Sequence, residues 1–154
     1  MNFKKIITAV VTVASLSFAL VPTVASVKAQ TVQTGSSVET VLHFGKLETV
    51  NAPTQGTVAI VKKTDGSSVL RLQNLKTEAG PDLHVYLYAS ATPGKTADAK
   101  TVKAVKFVDL GKLPAPFSGF VEYAIPAGTD LTAFKSAIIW CDVASVTFGG
   151  ANLN

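Results

Sequence analysis

Residues 80–90 read "GPDLHVYLYAS". Gly80-Pro81-Asp82 opens the stretch as a turn: Pro81 has a fixed φ, and Asp82 can accept from local backbone N–H groups. Side chains of an extended chain alternate between faces, so Leu83, Val85 and Leu87 share one face and His84, Tyr86 and Tyr88 the other. A short run of this kind, rich in β-branched and aromatic residues and bounded by turn residues, is a strand.

The same pattern recurs in both directions. Toward the N-terminus, "SVETVLHF" (37–44) alternates, with Val38, Thr40, Leu42 and Phe44 on one face and Glu39, Val41 and His43 on the other. "GTVAIVKK" (56–63) and "SVLRLQNL" (68–75) flank "TDGS", where Asp65-Gly66 supplies the positive φ of a tight hairpin. Toward the C-terminus, "TPGKTADAKTVK" (92–103) reads as a polar loop. "AVKFVDLGKL" (104–113), "GFVEYAIPAG" (119–128), "FKSAIIWCDV" (134–143) and "SVTFGGANL" (145–153) read as further strands. A single helical turn fits "TDLTAFKS" (129–136), and Gly149-Gly150 reads as a bulge or a turn. Turn signals every 8–12 residues or so predict an all-β fold, an antiparallel sandwich or partly open barrel of about 7–9 short strands with little helix. The run on both faces of "SAIIWC" predicts a central strand.

The chain opens "MNFKKIITAVVTVASLSFALVPTVASVKAQ". Lys4 and Lys5 precede an apolar run that Pro22 ends, and Val27-Lys28-Ala29 is a small-x-small cleavage pattern. This predicts a secretory signal peptide over 1–29. The run is shorter than the ~20 residues a membrane span needs. The expectation is a secreted or periplasmic protein with no integral membrane segment after cleavage, a polar linker over 30–41 and one β domain over 42–154. The full chain holds 14 Lys+Arg and 10 Asp+Glu. The leader takes three lysines and no acid, so the remainder carries a net charge of +1. No basic cluster is left for nucleic acid.

Cys141 is the chain's single cysteine, beside its single tryptophan, Trp140. No internal disulfide can form. An odd cysteine in an exported protein reads as a free thiol, an intermolecular bridge or a ligand. It also reads as a small buried hydrophobe, in phase with Ile139 and Val143. With His43 and His84 it makes up the His₂Cys donor set that copper uses. Cys-x-x-Cys-His is absent, which excludes covalent c-type haem, and no metal-ligand spacing is legible. No hydrolase constellation is present, so a catalytic class is not assigned. Tyr86 and Tyr88 beside His84 read as a covered sheet face or as a sugar- or partner-binding stripe.

The order of motifs resembles the DM-thirteen domain. The residues that carry this are Gly56-Thr57-Val58, Leu70 and Leu72 before Asn74, Gly80 to Leu87, Asp109 to Leu113, and Gly119 with Tyr123, Ile125 and Pro126. Trp140-Cys141 follows, with Val146, Phe148-Gly149, Ala151 and Leu153 after it. The resemblance implies an exported β domain in electron transfer or redox chemistry. Its signature cysteine, here Cys141, is then a naked thiol or the ligand of a prosthetic group such as haem. Beside it, His84 is the residue expected to help the sulfur, since an all-apolar pocket cannot stabilise a thiolate, and Trp140 is the other candidate for cofactor binding. The redox partner is unknown. Ala144 stands where the family commonly has an aromatic residue, and "NAPTQ" (51–55) where many members have a histidine. The alternative function is a non-catalytic surface or matrix binding module with a structural cysteine.

Overall fold

Alternating faces need two environments, and an antiparallel sheet that curls on itself supplies them. The computed structural model describes residues 38–114 and 117–154; the predicted leader and most of the predicted linker lie outside the described residues. Eight strands form: β1 (Thr40–Thr49), β2 (Thr54–Lys62), β3 (Ser68–Thr77), β4 (Leu83–Tyr88), β5 (Phe107–Leu113), β6 (Phe117–Ile125), β7 (Ser136–Cys141) and β8 (Val146–Asn152). They make one sheet in the order β5-β4-β7-β8-β1-β2-β3-β6, every pairing antiparallel. The two edge strands, β5 and β6, approach each other, so the sheet is a nearly closed barrel. Tyr123 of β6 bridges this seam by donating from its hydroxyl to the carbonyl of Lys112 on β5, at 3.0 Å. Burial pushes the Tyr123 phenol up to about 12.

The barrel interior is the principal core. Val58, Ile60, Leu70, Leu72, Leu83, Val85, Leu87, Ile139 and Cys141 all lie in it, each almost or wholly without accessible surface. β7 sits between β4 and β8, in the interior of the sheet as its two apolar faces predicted. The strand ends at Cys141, however. Asp142 to Ser145 form a turn with Ser145 at φ 55, and Val143 is exposed.

Two further expectations change. The apolar face of β1 is not its core face. A register shift between Val41 and His43 breaks the alternation, so Gly45 and Leu47 face inward while Phe44 stays half exposed. Part of the predicted 92–103 loop is a helix, α1 (Ala99–Ala104), capped by Asp98, whose carboxylate accepts from the Thr101 amide at 2.7 Å. Its Val102 covers Tyr86, Tyr88, Ile138 and Trp140, forming a second apolar cluster outside the barrel. The helical turn expected in 129–136 is present, as a 3₁₀ turn over Leu131–Ala133. Gly149 and Gly150 serve close approach within β8. A Cβ on Gly149 would lie 2.5 Å from the Thr54 side chain and 2.7 Å from the Glu48 carbonyl oxygen.

Candidate functional site

The pairing of β4 with β7 sets the site. Leu83 lies opposite Cys141, and His84 lies opposite Trp140. Neighbours along a strand point to opposite faces. Cys141 therefore points into the barrel with Leu83, and Trp140 points out with His84, Tyr86 and Ile138. The single cysteine is a free, fully buried thiol.

On the outer face, polar groups gather at the ends of β4, β5 and β7. Asp142 is the hub. Its Oδ1 accepts from the Trp140 indole N–H at 3.0 Å and from the Lys103 ammonium at 2.6 Å. Its Oδ2 accepts from the Tyr86 hydroxyl at 3.2 Å. The Asp142 amide donates to the Asp82 carbonyl at 3.0 Å, which ties the two turns together. His84 stands beside this hub. Its Nδ1 is 2.8 Å from Asp109 Oδ2 across the β4–β5 pair, and its Nε2 is 3.4 Å from Asp82 Oδ1 and 4.0 Å from Asp142 Oδ2. Lys112 holds the same Asp82 oxygen at 2.7 Å.

The charges around the site shift in understandable directions. The Lys103 ammonium, with help from Trp140 and Tyr86, holds the Asp142 carboxyl below its ordinary range against the effect of burial. Lys112 does the same for Asp82, and the pairing raises Lys112 in turn. Tyr86 is pushed up, first by burial and then by the facing Asp142 charge, so it stays a neutral donor. Its ring stacks on Phe107, with centroids 4.6 Å apart.

The sequence-derived residues thus divide. Trp140 and His84 come together on the outer face, and Cys141 is on the other side of the sheet from both. The His₂Cys copper set is not assembled, because Cys141 points inward and His84 outward. A haem at Cys141 does not fit this fold: the sulfur has no accessible surface and packs among core side chains between Leu83 and Val146 on the flanking strands. For the same reason the sulfur offers a second chain no surface for a disulfide. What sequence reading did not assemble is the carboxylate set, Asp82, Asp109 and Asp142. Its members lie up to sixty positions apart, and only strand register joins them. The one local signal is i, i+2 spacing: Asp82 with His84, and Trp140 with Asp142, each pair on one face. A cation could be held by His84, Asp82 and Asp142, whose donor atoms lie within 4.8 Å of one another.

A family model described as "Electron transfer DM13" matches residues 44–153. The chain belongs to the Electron transfer DM13 family. The match spans all but the first strand residues of the barrel, and it includes every member of the β4–β5–β7 cluster. It gives this DM13 domain an electron-transfer-related role at the level of the family. No curated protein and no solved structure matches the chain. Among the described residues, no helix of the domain is long and apolar enough to cross a membrane.

Proposed function

We propose that this DM13 domain is an exported electron-transfer module, secreted or periplasmic after loss of residues 1–29, that exchanges electrons through the outer face of β4 and β7 and not through an exposed thiol. One observation carries the reading. The buried Trp140 passes its indole N–H to Asp142, and the partly exposed Asp142 also holds Tyr86 and lies beside His84. An aromatic and hydrogen-bonded array therefore runs from the strand of the family's cysteine to solvent. Thiol exchange needs an accessible thiolate. Electron exchange needs only contact with a group that reaches the surface. Cys141 follows Trp140 in β7 and points to the core side of the same strand.

The test is a visible absorption spectrum and direct voltammetry of the protein isolated from its own exported compartment. The expected result is a reversible couple that Trp140→Phe or Asp142→Asn shifts or removes in a folded variant. Absence of any couple in that material would overturn the proposal. It would leave the second reading, a surface or matrix binding module, which the complete burial of Cys141 favours by making the cysteine a core residue.

A further inference from the structure

The geometry points to a divalent transition-metal site formed by His84 Nε2, Asp82 and Asp142, with Asp109 as the group that orients the histidine. The existence of the site rests on coordination geometry alone; a redox task for the ion rests on the reading above.

His84 is the centre of the site. Its Nδ1 is 2.8 Å from the Asp109 carboxylate, which can only accept. Nδ1 therefore carries the proton that the pair shares, and in the neutral imidazole Nε2 holds a free lone pair. A carboxylate on the far nitrogen is the arrangement that fixes a metal-binding imidazole. The Nε2 atom faces two further acceptors, Asp82 Oδ1 at 3.4 Å and Asp142 Oδ2 at 4.0 Å. Three acceptors converge there, and the donors already on them are Lys112 at Asp82 Oδ1 and the Tyr86 hydroxyl at Asp142 Oδ2, each of which leaves its oxygen a second lone pair. Bonds of about 2.1 Å put neighbouring ligands roughly 3.0–3.4 Å apart, and wider where they are not adjacent. The two separations from Nε2 lie at or somewhat above that range, and all three donors lie within 4.8 Å of one another, so the side chains draw in to share one ion.

Charge favours the same occupant. Asp82, Asp109 and Asp142 are three carboxylates, and Lys103 and Lys112 are the two ammoniums that pair with them. The carboxylates outnumber the ammoniums by one. The two lysine side chains are 48% and 72% exposed, so each can turn to water and leave its carboxylate to a cation. One imidazole with two carboxylates is a borderline-to-hard donor set. It suits Mn²⁺, Fe²⁺, Zn²⁺ or Cu²⁺ and not Cu⁺ or an iron–sulfur cluster. His84 and the two ligand carboxylates keep 14%, 28% and 27% of their side-chain surface, so water or a small ligand can complete the coordination.

The probes are Zn²⁺ and Mn²⁺ in calorimetric titration of the full exported form, and electron paramagnetic resonance of the Cu²⁺-loaded protein. One ion per chain is expected, with hyperfine coupling to a single imidazole nitrogen. His84→Gln and Asp142→Asn should abolish binding while melting stays cooperative. Asp109→Asn should weaken it by about 10–100-fold, as loss of an orienting carboxylate does. Lys112→Ala should leave binding at least as tight, because a competing cation is gone. No stoichiometric binding, or binding that survives His84→Gln and is lost in His43→Gln, overturns the site. Metal binding with no reversible couple leaves the site standing and removes the electron-transfer reading. A couple that persists in the metal-free His84→Gln variant does the reverse.

Discussion

At the scale of single residues, Trp140 and Cys141 are adjacent in sequence and opposite in environment. Both have no accessible surface. Trp140 satisfies its one donor on Asp142, as a buried indole must. Cys141 needs no partner, because a thiol is only weakly polar. A serine there would place a hydroxyl in an apolar site. Cys141→Ser is therefore expected to cost about 1–3 kcal/mol, read from denaturant unfolding. In the native protein an alkylating reagent should leave the thiol untouched until the barrel unfolds. Rapid alkylation under native conditions, or an unchanged unfolding midpoint for the serine variant, would contradict burial in the core.

At the scale of elements, α1 is the part that links the site to the fold. It is six residues long, too short to persist by itself. Two things hold it: the Asp98 cap and the packing of Val102 over Tyr86, Tyr88, Ile138 and Trp140. The helix also carries Lys103, which reaches the hub carboxylate of Asp142. Removing the cap by Asp98→Ala should cost about 0.5–2 kcal/mol. Amide exchange should localise the loss to α1 and the β4–β7 outer face, with the barrel interior still protected. Uniform loss of protection through β2 and β3 would mean that the helix is not a separate unit.

At the scale of the whole molecule, the far side of the barrel has its own charge network. Arg71 on β3 binds Glu39 with two guanidinium nitrogens at 2.7 and 3.0 Å and Glu122 of β6 with a third at 2.7 Å, and Lys63 reaches Glu122 at 2.6 Å. Lys63 and then Arg71 hold the Glu122 carboxyl below its ordinary 4.5, and Arg71 does so for Glu39. A carboxyl depressed in the folded state binds fewer protons there than in the unfolded chain. Its stabilisation is full above pH 4.5 and is lost as pH falls through the lower folded value. Thermal midpoints should thus fall on acidification below pH 4.5, and Glu122→Gln should flatten that part of the curve. The Lys63 and Arg71 contacts to Glu122 are partly buried, so added salt near neutral pH should screen them only in part and lower the same midpoints weakly. An acid profile identical in Glu122→Gln and the parent would show that this network does not set the acid stability.

Sequence alone determined the fold class of this protein, most of its strands and the two faces of β4. Period-two alternation and the Asp65-Gly66 and Gly80-Pro81-Asp82 turns are local, and they need no knowledge of what lies across the sheet. The order of motifs through Trp140-Cys141 likewise carried the family. Tertiary structure alone decided which residues meet. Alternation says that His84 and Tyr86 share a face, and that Trp140 and Asp142 share a face. It does not say that these are the same face of the same sheet. The β4–β7 register makes that choice by placing His84 opposite Trp140 and Leu83 opposite Cys141. A slip of one residue would have put His84 beside the thiol. The bulge in β1 and the helix α1 were hidden for the same reason. Each depends on packing from distant segments, the barrel's curvature for the bulge and the apolar outer face of β4 and β7 for the helix.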